Sequence, residues 1–285
     1  MKNPAVLDRL ADLLDKFRVR ANLFHAGLLC GHNHFAAQPG RAFLHVLKRG
    51  QLEVHHPGLC QPWQQLQLQE PSLLFYARPI EHLFINPPVE GSDFVCATLD
   101  FDGGEHNPLV QALPAVIALP LAQAPGLNAT LDLLFAETEQ LRCGSRVLAD
   151  RLFEVLVVQL LRELINAPAP AGIHQGMLAG LADPRLAKLL TALHRAPAED
   201  WDLVKMANLA GMSRSAFAAH FKQVLGSTPA NYLSDWRLTQ AIALMRAGKP
   251  LQAVADQTGF ANLSGFSKAF KQRFGVSPSI WLKRT

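Results

Sequence analysis

The sequence predicts an α+β chain of two domains: an N-terminal double-sheet β-barrel with flanking helices, then an all-α domain carrying tandem helix-turn-helix units. Three observations predict it. Between about residues 22 and 99 the apolar residues come in short runs broken by Gly and Pro, the pattern of a small double-sheet barrel. From residue 127 to 164 the apolar period becomes helical. In the last hundred residues one segment occurs twice at an offset of 49 positions, and a repeat of that length marks one structural unit used twice. At 285 residues the chain exceeds the usual single-core size, and a hydrophobic content of 49% is ample for two cores.

The elements follow in chain order. The start, MKNPAVLDRLADLLDKF, is charged throughout and has no apolar core region, so it does not read as a signal peptide. Leu7, Leu10, Leu14 and Phe17 make it a short amphipathic helix. FLHVLKRGQLEVHHPG reads as two short strands around Arg49-Gly50, and LQLQEPSLLFYA and DFVCATLDF continue in the same style. Further on, Val147, Leu148, Arg151, Leu152, Val155, Leu156, Gln159 and Leu160 describe a strong amphipathic stretch. The helices of 127–164 carry more apolar surface than a small barrel needs to cover. A homodimer interface and packing on their own barrel are both open uses for it. NAPAPAGIHQG (Asn166 to Gly176) is a Pro/Ala/Gly linker. The expected division is residues 1–165 for a sensor-like domain with a helical dimerisation segment, 166–180 for a linker, and 181–285 for the helical domain.

The repeat pairs Phe217, Phe221, Lys222, Gln223, Gly226, Thr228 and Pro229 with Phe266, Phe270, Lys271, Gln272, Gly275, Ser277 and Pro278. Leu203, Met206, Ala207 and Gly211 precede the first copy, and Leu251, Val254, Ala255 and Gly259 precede the second. In each case the spacing suits a short helix, the Ala allows two helices to approach, and the Gly suits a left-handed turn. Ser213 and Asn262 are N-caps for the second helix of each unit. The phenylalanines on one face are core, not base-stacking residues. Residues 185–285 hold 14 Lys and Arg against 5 Asp and Glu, whereas residues 1–184 hold 13 against 18. Positive charge is thus confined to the end that carries the repeat, the electrostatic footprint expected for double-stranded DNA.

With these residues in view, the block from Trp201 to Arg284 resembles the AraC/XylS family of bacterial transcription regulators. LAGMSRSAFAAHFKQVLGSTPANYLSDWRL and ADQTGFANLSGFSKAFKQRFGVSPSIWL carry the resemblance. DPRLAKLLTALHRAPAEDW and CATLDFDGGEHNPLVQALPAVIAL extend it to the subgroup with a cupin-like N-terminal sensor. It implies two helix-turn-helix units flanking a linker helix at Pro229 to Arg246. The implied partners are double-stranded DNA and RNA polymerase, with activation favoured over repression. By the same resemblance, bases would be read from Ser215, Ala218 and Ala219 in the first recognition helix. Those side chains are too small for a bidentate base contact, so Arg214 and Lys222 would grip phosphate. Asn262, Leu263, Ser264, Ser267, Lys268 and Lys271 are the corresponding DNA-binding set in the second helix. Lys268 can reach a guanine edge. Arg237 on the linker helix is assigned to DNA as a structural or phosphate-facing group.

The sensor candidates are weaker. His32 and His34 form an H-x-H, which enzymes of the cupin class combine with a Glu and a later His to hold a metal. By resemblance His82 matches the later His and His45 is a family-like position, which gives His32, His45 and His82 as a candidate effector pocket. No Glu follows His34 at the usual interval, alternate residues of a strand share one face that can be the outer one, and no metal or cofactor is assigned. Relatives usually have Gly-Asp where Pro71-Ser72 stand, so the turn there departs from the pattern. Cys96 occupies a position where relatives often carry Cys, some of them thiol-based activators, and Cys30 is its candidate redox partner. Reactivity would require a lowered thiol pKa; an inert buried Cys is the competing reading. Four widely spaced Cys and no bilayer-length apolar run lead to the expectation of a cytoplasmic protein off the membrane.

The favoured function is therefore a sequence-specific DNA-binding regulator, not an enzyme, answering an unidentified small-molecule or oxidant signal. A metal-dependent cupin enzyme and a helical protein-interaction module are the alternatives. The first lacks the Glu ligand, and the second has no need of a strongly basic end.

Overall fold

The computed structural model describes residues 7–283, so the first six residues of the expected N-terminal helix lie outside the described residues. Nine strands are assigned among them: β1 (Val19–Leu29), β2 (Gly31–Phe35), β3 (Arg41–Arg49), β4 (Leu52–His55), β5 (Gln65–Leu68), β6 (Ser72–Tyr76), β7 (His82–Asn86), β8 (Ser92–Phe101) and β9 (Ile117–Pro120). The α-helices are α1 (Ala11–Lys16), α2 (Pro108–Ala112), α3 (Asn128–Glu139), α4 (Ser145–Asn166), α5 (Met177–Ala182), α6 (Leu186–Arg195), α7 (Leu203–Leu209), α8 (Arg214–Leu225), α9 (Pro229–Arg246), α10 (Leu251–Gln257), α11 (Leu263–Phe274) and α12 (Pro278–Leu282). Two compact units result. One comprises Arg18–Glu105 and Leu113–Gly172; the other comprises residues 7–17, His106–Ala112 and residues 173–283.

The first unit is two antiparallel sheets, in strand orders β1-β8-β3-β6-β9 and β2-β7-β4-β5. Their facing sides form one core: Phe43, Leu47, Tyr76, Phe94 and Cys96 from the larger sheet meet Leu52, Val54, Leu68 and Phe84 from the smaller. Strands β3 and β8 are buried on both faces, because Leu44, Val46, Val95 and Ala97 point away from that core and are still covered. Helices α3 and α4 pack on the β1 side of this sheet. Edge strand β1 has two of its outward N–H groups occupied in its first half. Leu23 N–H donates to Asp150 Oδ1 at 2.6 Å and Ala21 N–H to Glu154 Oε1 at 3.3 Å, both carboxylates standing on α4. That part of the strand edge is thereby covered by helix side chains.

The second unit is all helix. Helix α1 groups with it by its contacts. Its buried face is shifted: Asp8 Oδ1 accepts from the N–H of Leu10 and Ala11, the helix starts at Ala11, and Leu10, Leu13 and Phe17 are buried while Leu7 is exposed and Leu14 only partly covered. The Phe17 ring meets Trp236 edge-on at 5.6 Å, and Lys16 Nζ donates to the His194 carbonyl at 2.6 Å. In the first helix-turn-helix, Phe217 and Phe221 are fully buried. In the second, Val254, Ala255, Phe266 and Phe270 pack with Ile242 and Met245 of α9. Helix α9 thus lends a face to the second unit's core, and its bounds coincide with the linker helix expected from sequence. Among the described residues no helix is long and apolar enough to cross a membrane.

Candidate DNA interface and sensor interior

Both recognition helices are set by the same local chemistry. Asp202 Oδ1 caps α7 by accepting from Lys205 N–H at 2.6 Å, Ser213 Oγ caps α8 through Ala216 N–H at 3.4 Å, and Asn262 Oδ1 caps α11 through Gly265 N–H at 2.8 Å. The turn glycines Gly211 and Gly259 have φ of +66° and +80°, a region that L side chains avoid. Phe217 and Phe221, like Phe266 and Phe270, point inward, which turns the opposite face of each helix to solvent. Arg214, Ser215, Ala219 and Lys222 are exposed on α8, with Ala218 half-covered. On α11 and at its cap, Asn262, Ser264, Lys268 and Lys271 are exposed, with Leu263 and Ser267 half-covered.

The unit's cations fall into two groups. Arg214, Lys222, Lys268 and Lys271 make no ion pair among the described residues. Others are engaged within the unit: Arg273 with Asp235 at 3.3 Å, Lys205 with Glu199 at 2.8 Å, and Arg195 with Asp12 at 3.2 Å. Arg237 is also engaged within the unit, in the structural one of the two roles expected of it. Its Nε donates to the Pro197 carbonyl at 2.8 Å and a terminal nitrogen to the Glu199 carbonyl at 3.1 Å. Gly259 lies against the same guanidinium: a Cβ there would sit 3.0 Å from it and 2.6 Å from Ala198 Cα. Arg237 therefore stitches α9 to the α6–α7 connection beneath the second turn. Beside α8 the small side chains Ala218 and Ala219 leave a concavity of about 720 Å³ that reaches Trp201, Met206 and Leu233.

The candidate effector residues separate. His45 and His82 are buried and meet Nε2 to Nε2 at 3.0 Å. His32 is not with them. It pairs with Ile85 on the outer face of β2 and is exposed, whereas Phe35, which pairs with His82, turns inward. His34 is likewise outward, 2.8 Å from Glu81. The interior around His45 and His82 is filled by rings. Tyr76 stacks on His82 with centroids 4.1 Å apart, Phe35 stacks on its other side at 4.9 Å, and Phe43 lies 5.8 Å from His45. His82 Nδ1–H donates to the Ile80 carbonyl, so its Nε2 accepts from His45 Nε2–H. His45 Nδ1 is then a buried acceptor with no partner in the structure. Burial holds His82 down to about 4 and His45 well below the usual range, with the neighbouring histidines adding to it, so both are neutral. Among the described residues no cluster of three His, Cys, Asp or Glu could hold a metal ion.

The Cys30–Cys96 pairing is also corrected. Cys30 follows Leu29, which faces Ser92, whereas Cys96 faces His25. Four residues of extended chain separate the two places, on the order of 13 Å and well beyond disulfide reach. Cys96 is fully buried, and burial pushes its thiol up, away from the reactive thiolate.

Comparison with known proteins agrees with this architecture. Residues 8–166, more than half of the chain, match the Cupin family, and residues 206–284 match the helix-turn-helix domain family. A Streptomyces lividans protein named an "AraC-like transcription regulator" is 29% identical over 97% of this chain and 98% of its own length. One of the same name from Streptomyces antibioticus is 37% identical over 61% of this chain and 58% of its own, so that match spans less than two thirds of the relative. The DNA-binding domain of AdpA, solved with a target DNA, is 28% identical over 36% of this chain and 92% of that one, with a TM-score of 0.34. This chain belongs to the AraC family of DNA-binding transcription regulators, with a cupin N-terminal domain.

In this AraC-family chain, sequence reading overlooked the second half of the interior polar chain. His56 is fully buried; its Nδ1 donates to the Trp63 carbonyl, and its Nε2 accepts from Tyr76 Oη at 2.9 Å. The His55-His56 doublet at a strand end carried the only signal, since one of two adjacent histidines must turn inward. His220 was also passed over. Its Nε2 lies 2.8 Å from Asp183, whose other oxygen accepts from the first N–H groups of α6, so the pair braces α8 against that helix start.

Proposed function

We propose that this regulator reads two successive major-groove sites through α8 and α11, dimerises through its α3–α4 face, and activates transcription by contact with RNA polymerase in the cytoplasm. The observation that carries the reading is the pair of equivalent exposed helix faces whose cations, Arg214 and Lys222 on one and Lys268 and Lys271 on the other, have no internal carboxylate. Phosphate is the natural partner for such groups. Direct base reading concentrates on α11, where Lys268 is long enough to reach a guanine edge. Helix α8 contributes phosphate contacts and the apolar touch of Ala218 and Ala219. The dimer proposal rests on the exposed stripe Leu148 and Val155 on α4, flanked by Val147 and Leu141. The signal is sensed in the N-terminal unit. A thiol pair of Cys30 and Cys96 is disfavoured by their separation, and metal-dependent catalysis by the outward turn of His32 and His34.

The test is selection of bound duplexes from a random pool by the full-length protein, with and without a mild oxidant. Two enriched motifs about one helical turn apart, near 34 Å, are expected, unchanged by oxidant. A single motif, or none, overturns the two-site reading.

A further inference from the structure

Rings pack the interior of the sheet unit around His45 and His82, and a cleft of about 370 Å³ opens elsewhere in the same unit. It lies between edge strand β9, the last turn of α4 and the segment that follows it. Its walls are apolar: Trp63, Ile117, Leu119, Leu164, Pro170 and Ala171 all contribute. Gln123 and Glu163 are the polar side chains that line it, and Glu163 is the one that is charged. No Lys, Arg or His lines it. The Glu163 carboxylate makes no hydrogen bond or ion pair among the described residues. Gly126 keeps space for it, since a Cβ there would sit 2.5 Å from Glu163 Oε1. The cleft also holds the C-terminal end of a 22-residue helix with no basic residue in its last turn. The partial negative charge of such a terminus favours a cation. Trp63, about one third exposed, adds an aromatic surface that attracts cations as well.

We propose that this cleft is a binding site for a hydrophobic amine, its ammonium group held at Glu163 and the end of α4, its apolar tail laid between β9 and the Pro170–Ala171 turn. An unpaired carboxylate in an apolar cleft without a basic residue rejects fatty acids and other anions, and it gives a neutral alcohol a hydrogen bond but no ion pair. The volume lies at the lower end of the range for small-molecule sites, which suits one slender chain. The site stands on the sheet unit alone and does not depend on the DNA reading.

The test is calorimetric titration of the full-length protein with n-decylammonium, n-decanol and decanoate, each below its micelle concentration. Saturable binding of one decylammonium per chain is expected, at least tenfold tighter than decanol, with decanoate weaker than both. Glu163→Gln should bring decylammonium down to the decanol level and leave decanol unchanged. Ala171→Trp should block both, and Trp63→Ala should weaken the cation more than the alcohol. Melting curves establish that each variant is folded, and the Trp63 and Ala171 variants keep the test decisive if Glu163→Gln is not. Decanoate binding as tightly as decylammonium, or decylammonium binding unaffected by these substitutions, overturns the proposal.

Discussion

At the scale of single residues the helical unit separates cations that hold the fold from cations that face outward, and the two kinds should fail differently. Lys268→Ala is expected to cost about 1–3 kcal/mol of DNA affinity and to relax preference at one base position; Lys222→Ala should weaken all sequences alike and lower the salt slope by about one. Binding-site selection with each variant separates these outcomes. Arg237→Ala should instead lower the melting temperature, because the Pro197 and Glu199 carbonyls lose their donor. Gly259→Ala should cost about 1–3 kcal/mol of stability, read by urea unfolding, since the substitution combines a positive φ with a close backbone neighbour. The buried histidines give a pH dependence whose sign is fixed. An unfolded histidine titrates near 6.5, whereas folded His82 does so at about 4 and His194 at about 3. Between these values the unfolded chain takes up protons that the folded one refuses, so stability is full above about pH 6.5 and is lost as pH falls toward 4. For His82 the loss is on the order of 3 kcal/mol. Melting temperature measured from pH 7 to 4 should fall, and His82→Phe should flatten that fall.

At the scale of elements, legibility followed how local the cause was. The linker helix could be read to its end residues because Pro229 and the Thr228 cap start it and Gly248 stands just past its end, all within its own stretch of chain. The caps Ser213 and Asn262 were legible for the same reason. The facing of His32 was not. Parity along β2 is decided by its register with β7, and a shift of one residue would turn the whole strand over. The choice between a structural and a phosphate-facing Arg237 was not legible either, because its partners lie about forty residues away in the chain. Helix α1 was legible as a helix, but a start set by the Asp8 side chain moved its buried face from Leu14 to Leu13. Helix α4 was legible as amphipathic, yet its solvent side keeps Leu148 and Val155 exposed. Replacing both with Ser should turn the proposed dimer into a monomer in sedimentation at micromolar concentration; an unaltered dimer would place the interface elsewhere, and a monomeric parent chain would overturn the proposal.

At the scale of the whole molecule the charge is split between the two parts of the sequence, 14 basic against 5 acidic residues after position 184 and the reverse tendency before it. DNA affinity of the full-length chain should therefore fall steeply with salt, by a factor of about 10 or more between 50 and 200 mM, as a plot of log affinity against log salt would show. A flat plot would mean that the free lysines do not meet phosphate. The acidic end has its own use for carboxylates. Asp150 and Glu154 sit on the N–H groups of β1, where another strand would otherwise dock. They act as a stopper against growth of the sheet into neighbouring copies. Replacing Asp150 and Glu154 together with Ala removes both acceptors. It should uncork the edge and turn a clear solution cloudy at temperatures where the chain is still folded.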